Sequence, residues 1–168
     1  MKKVVIVLVI LVVIVAITAM LNRDDLGEKV ASQENALLYL KADNSETKVD
    51  FATMQELPEV EFPAVLKRSG KAPVDTSYAG VELKALLAKL EINTDDKTQI
   101  ITKAVDGYTV ALSLAEVLAD DNVYIVYKRD GEDLGTKEDG GSGPYQLVIR
   151  EDSFGQRWNK YLMEIELQ

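Results

Sequence analysis

The 168-residue sequence contains no cysteine and no histidine. Without cysteine there can be no disulfide, thiolate nucleophile, iron–sulfur cluster or lipid-modified cysteine. Without histidine there is no Ser-His dyad and no imidazole ligand for zinc or haem. Positive charge is also scarce, with 19 Lys and Arg against 28 Asp and Glu, for a net charge of −9. A surface of that sign repels phosphate backbones, which argues against nucleic acid as a partner. The length and the 28% content of charged residues predict one folded domain rather than a disordered chain.

What is present is unevenly spread. Val4 to Leu21 carries no charge, and Thr18 is its only polar side chain. About 18 helical residues span roughly 27 Å, close to the hydrocarbon thickness of a bilayer. The segment 1–21 is therefore expected to be a transmembrane anchor. Lys2 and Lys3 precede it, and Asn22, Arg23, Asp24 and Asp25 follow. The positive-inside rule then puts the N-terminus in the cytoplasm and the remainder outside the cell membrane. Ile17-Thr18-Ala19 is a mediocre cleavage pattern, so the alternative is a signal segment whose removal leaves a secreted protein. Residues 22–35 read as a polar linker and 36–168 as the folded domain, and the exported part as a whole, residues 22–168, carries −11 once Lys2 and Lys3 are set aside. Such a domain stands off anionic lipid headgroups. It also holds together in an oxidising compartment by its core alone.

Within 36–168, Ala36–Ala42 and Thr47–Phe51 read as strands around an Asp43-Asn44-Ser45 turn. Thr53 and Glu56 suggest a capping box for a short helix ended by Pro58, and Val60–Lys67 alternates as a strand. Ser69–Ser77 reads as a loop, and Val81, Leu83, Leu86, Leu87 and Leu90 as the apolar stripe of a helix. Asp106-Gly107 predicts a hairpin between Thr98–Val105 and Tyr108–Leu112. Ser113 and Glu116 form a second capping box. Val123–Tyr127, Tyr145–Ile149 and Trp158–Leu167 are the last predicted strands, with a turn at Asp130-Gly131 and a glycine-rich loop at Gly135–Gly143. The fold class expected is α+β, a mixed, barrel-like β-sheet with two or three short helices.

An ordered set of motifs runs from Met54 to Leu167. It comprises Met54-Gln55-Glu56-Leu57-Pro58, Tyr78-Ala79-Gly80-Val81-Glu82-Leu83, Ala104-Val105-Asp106-Gly107-Tyr108, Asp130-Gly131-Glu132-Asp133-Leu134, Gly143-Pro144-Tyr145-Gln146-Leu147-Val148-Ile149 and Gly155-Gln156-Arg157-Trp158-Asn159-Lys160. This succession resembles the molybdopterin-binding domain of sulfite-oxidase-type oxidoreductases. The resemblance implies a pterin dithiolene cofactor whose molybdenum is bound by a protein cysteine in the loop after the strand from Val60. Here Phe62 to Ser69 contains none, and Ser69 is the nearest hydroxyl. Gln146 stands where the family pattern has Arg, and Arg150 where it has Pro. Molybdenum is thus not expected, while a pterin or molybdopterin-like ligand remains compatible with the scaffold.

The candidate ligand-binding residues are Lys67, Arg68 and Lys71, the basic cluster of an acidic domain, together with Gly143, Arg157, Trp158 and Lys160. Cations can hold a phosphate or carboxylate while an indole stacks on a planar ring. The ordinary alternatives are solvated cations, a core Trp158 and a flexible Gly140–Gly143 connection. Asp95-Asp96, Asp120-Asp121 and Glu138-Asp139 read as solvated turns, and Tyr108, Tyr124 and Tyr127 as packing residues. Three functions are compatible with these features. The first is a membrane-anchored extracytoplasmic module binding a small planar anionic ligand, the second a molybdopterin-dependent oxidoreductase without the thiolate, and the third a protein-interaction domain of a surface complex. Each implies different partners: the membrane through the N-terminal helix, a small molecule, or a surface protein.

Overall fold

The computed structural model describes residues 7–18, 35–67, 70 and 72–168. Lys2, Lys3, Arg68, Ser69, Lys71 and nearly all of the expected linker lie outside the described residues. Two units are present, Met1–Ser32 and Gln33–Gln168. In the first, residues 7–18 are helical, and the Thr18 hydroxyl donates to the Ile14 carbonyl at 2.8 Å. That back-bond lets a hydroxyl sit on an otherwise apolar helix. Among the described residues, no helix is both long and apolar enough to cross a membrane.

Among its described residues the second unit holds ten strands. They are β1 (Leu38–Ala42), β2 (Ser45–Val49), β3 (Val60–Leu66), β4 (Val74–Glu82), β5 (Gln99–Ala104), β6 (Thr109–Ser113), β7 (Val123–Arg129), β8 (Glu132–Asp133), β9 (Gln146–Ile149) and β10 (Leu162–Leu167). They form two sheets, one ordered β2-β1-β10-β5-β6 and the other β3-β4-β7-β8 with β9 also paired to β7. The parallel β1–β10 pair makes the first sheet mixed. Three short helices join strands: α1 (Phe51–Gln55), α2 (Leu83–Lys89) and α3 (Leu114–Leu118). Sequence spacing explains their placement. Leu83, Leu86 and Leu87 are buried on one side of α2, and the Ser113–Glu116 capping box at the head of α3 is formed in both directions.

Four expectations are corrected. The cap of α1 is Asp50, whose carboxylate accepts from the Thr53 amide at 2.9 Å, so the helix begins two residues before the expected Thr53–Glu56 box and takes Phe51 from the preceding strand. The expected loop through Ser77 gives way at Val74 to β4, the longest strand. Its Tyr78-Ala79-Gly80-Val81 run is buried on both faces, so no alternation betrays it. Finally, Trp158 follows a short 3-10 turn, Gly155–Arg157, rather than opening a strand. Tyr108 is also 49% exposed, not packed in the core, and its hydroxyl donates to the Gln156 carbonyl at 2.6 Å.

Both sheets contribute to one apolar core, with Leu38, Leu40, Ile100 and Ile165 from the first and Phe62, Val81, Ile125 and Leu147 from the second. Gly80 marks the tightest approach. A Cβ there would lie 2.1 Å from the Ile125 carbonyl oxygen, beside the bulge that shifts the β4–β7 register between Ala79 and Gly80. Only a residue without a side chain lets β7 close on β4 at this point.

Candidate functional site

β3 enters the second sheet beside β4, pairing Phe62 with Tyr78 and Ala64 with Thr76. Phe62 and Tyr124 pack with ring centroids 4.6 Å apart, and Tyr78 meets Trp158 edge-on at 5.8 Å. This aromatic group underlies a cleft of about 710 Å³. One wall is four consecutive residues of β3, Phe62 to Val65. The opposite wall is Arg150 to Ser153 with Asp120 and Asp121, and Val148 and Trp158 complete the floor.

Two cation–aromatic contacts involve cleft residues. The Arg150 guanidinium lies 4.9 Å from the Phe62 ring centroid, and the Lys67 ammonium lies 5.2 Å from that of Phe154. Arg150 is also ion-paired with Asp121. The Tyr124 hydroxyl donates to the same Asp121 carboxylate at 2.6 Å. Tyr124 first and Arg150 second hold the Asp121 carboxyl below its ordinary range. Burial, reinforced by Asp121, pushes the Tyr124 phenol up to about 12. Asp121 is therefore an ionised acceptor at neutral pH, and Tyr124 a fixed donor.

The structure separates the residues singled out from sequence. Lys67 and Trp158 line this one cleft. Trp158 is nearly buried, and its Nε1–H donates to the Ile149 carbonyl at 3.0 Å, so it serves the core and the cleft floor together. Arg157 stands behind the wall. It grips Asp152 with two nitrogens and Glu116 with a third at 2.9 Å, bracing the Arg150–Ser153 segment against α3. Lys160 lines a different cleft of about 430 Å³ with Arg129, Gly140, Gly141, Ser142 and Tyr161.

Gly143 lines none of these clefts. The loop before it folds on itself: the amides of Gly141, Ser142 and Gly143 donate to the carbonyls of Thr136, Leu134 and Gly135. Those amides are consequently not presented to an anion. Arg68 and Lys71 lie outside the described residues. Sequence inspection missed Phe62, Asp75, Thr76 and Asp121 as cleft residues. The one available signal was Arg150, a cation at a position where the resembled pattern has proline.

The sequence pattern of the oxidoreductase molybdopterin binding domain matches residues 40–168. The chain belongs to that family. No curated protein matches it. Among solved structures, this molybdopterin-binding domain is similar to the sulfane dehydrogenase SoxCD from Paracoccus pantotrophus, with a TM-score of 0.65 and 17% identity. The match covers 81% of this chain and 38% of that one, so the present chain spans well under half of its solved neighbour. At that identity the likeness shows the fold.

Whether the residues of this family member fit a thiolate-held molybdenum can be judged from its donors. A soft anionic sulfur ligand is required, and the sequence has no cysteine. The described lining offers hard oxygens instead, five carboxylates (Asp75, Asp120, Asp121, Glu151 and Asp152) against two cations, Lys67 and Arg150. Arg150 is already paired, which leaves Lys67 as the cleft cation without a carboxylate partner among the described residues. This donor set does not fit a thiolate-bound molybdenum. Three of those carboxylates are met by cations, Asp121 by Arg150, Asp152 by Arg157 and Asp120 by Lys84, which leaves Asp75 and Glu151 beside Lys67 in the described lining.

Proposed function

We propose that this member of the molybdopterin-binding family is an extracytoplasmic binding module. Residues 1–21 tether it to the cell membrane, with the N-terminus on the cytoplasmic side. Its cleft takes a small planar ligand such as a pterin without molybdenum. The observation that carries this reading is the cleft itself, where a nearly buried floor of Val148 and Trp158 lies between the Phe62–Val65 wall of β3 and the Arg150–Ser153 wall. A flat ring packs on such a floor. Lys67 meets a single acid group on the ligand, while Asp75 and Glu151 accept from its amino edge. The ligand expected is thus singly anionic or zwitterionic rather than polyanionic.

The test is metal analysis and small-molecule mass spectrometry on the same sample of full-length protein, purified in detergent from a host that makes molybdenum cofactor. The expected result is an organic molecule released in stoichiometric amount with molybdenum below a tenth of an equivalent. Stoichiometric molybdenum would overturn the proposal in favour of an oxidoreductase. Membrane attachment is read separately, by fractionation and by protease accessibility of intact cells.

A further inference from the structure

β3 has a single hydrogen-bonded neighbour, β4, and among the described residues nothing pairs with its other edge. Side chains alternate between the two faces of a strand. Four consecutive residues, Phe62 to Val65, can therefore line one cleft only where that cleft follows the strand's edge. The β3–β4 register is unbroken through Pro63. A proline keeps such a ladder intact when its missing donor faces away from the partner strand. The main-chain groups of Glu61 and Val65, two positions to either side, then face outward with it.

Free edges invite another strand, and proteins defend them with proline and charge. Here Pro63 removes one donor; the exposed Glu61 lies on the edge strand itself, Asp75 sits one strand inward opposite Val65, and Glu151 lines the same cleft. These features repel a second copy of so acidic a chain. They do not repel a basic strand. Val65, 43% exposed, adds apolar contact on the edge strand. Lys67, stacked on Phe154 just past the strand, bounds the acidic stretch to the length of β3.

We propose that the free edge of β3 takes an extended, basic segment of a partner protein. The segment pairs with the main chain at Glu61 and Val65, and its alternate Lys or Arg side chains meet Glu61, Asp75 and Glu151. This inference does not rest on the small-ligand reading, since the free main-chain edge of β3 carries it, although Asp75 and Glu151 serve both readings.

The experiment titrates full-length protein in detergent with fluorescein-labelled KVKVKVK, with EVEVEVE as control, and follows amide hydrogen exchange. The expected result is saturable binding of the basic peptide alone. Exchange at Glu61 and Val65 should slow at least ten-fold, and the double variant Glu61→Lys, Asp75→Lys should bind at least ten-fold more weakly. Both positions are exposed, and a urea midpoint checks that the variant is folded. No binding would overturn the inference. So would binding that is indifferent to the double variant or leaves the two amides unprotected, because that is general attraction to an acidic chain. A parallel thermal-shift titration with 6-carboxypterin separates the two proposals. A shift with pterin but no peptide binding sinks this inference alone, and the reverse sinks the small-ligand reading alone.

Discussion

The guanidinium of Arg150 rests 4.9 Å from the centre of the Phe62 ring while its charge is met by Asp121. Phe62 belongs to β3 and Arg150 to the turn after β9. The pair thus ties together two walls of the cleft that are 88 residues apart in sequence.

Arg150→Ala removes this tie. A cation–π contact at a partly exposed site is worth about 0.5–1 kcal/mol. A double-mutant cycle with Phe62→Leu, read by urea denaturation, should return a coupling energy of that size. A coupling indistinguishable from zero would mean that the two groups are merely adjacent.

Trp158 is the only tryptophan of the chain, and its fluorescence reports on the cleft floor directly. Trp158→Phe keeps most of the apolar volume but removes one of two donors to the Ile149 carbonyl, which keeps the Asp152 amide at 3.3 Å. A single hydrogen bond contributes about 0.5–1.5 kcal/mol net. Equilibrium unfolding should show a loss in that range, and the wild-type emission should be blue-shifted relative to the unfolded chain.

The Ser113–Glu116 capping box makes a pH prediction. The Ser113 amide is the main influence holding the Glu116 carboxyl below its ordinary value of 4.5. Burial opposes it, and the Ser113 hydroxyl and Arg157 assist. A carboxyl lowered by folding stabilises the fold fully above its unfolded value, and that contribution fades as pH falls through the folded value. Stability should therefore drop on acidification below about pH 4.5, with a shallower drop in Glu116→Gln. Ser113→Ala should cost about 1 kcal/mol at neutral pH. An unchanged acid limb in Glu116→Gln would remove this carboxylate from the account.

Gln146 is 1% exposed, and neither its Nε2 nor its Oε1 has a hydrogen-bond partner. A buried amide left so costs more than an apolar group of similar size. Gln146→Met should raise stability by about 1–3 kcal/mol in thermal or urea unfolding. A fall instead would show that the amide is satisfied by a bound water or ligand.

The local signals of this sequence were accurate where the chemistry is local. Asp43-Asn44 and Asp130-Gly131 both adopt positive φ and turn the chain as such pairs do. The leucine stripe of α2 and the capping box of α3 needed only residues within one or two helical turns. The N-cap of α1 was misassigned because Asp50 and Thr53 each satisfy the same local pattern, and only the observed bond distinguishes them. β4 was hidden for another reason. Its central residues are buried on both sides, so periodicity carries no trace of the strand.

The sequence by itself determined the exclusions: no thiolate and no imidazole, a run from Val4 to Leu21 free of charge, and an acidic surface. It also carried the family, because the order and spacing of turn motifs survive in one dimension. Only the tertiary structure decided which cations share a cleft. Lys67 faces it, Arg157 braces its wall from behind and Lys160 lines another, although Arg157 and Lys160 lie three residues apart. Side-chain direction depends on the path of the backbone through the 3-10 turn at Gly155–Arg157. The partners that claim each charge, Asp121, Asp152 and Glu116, come from distant segments brought together by the packing of two sheets.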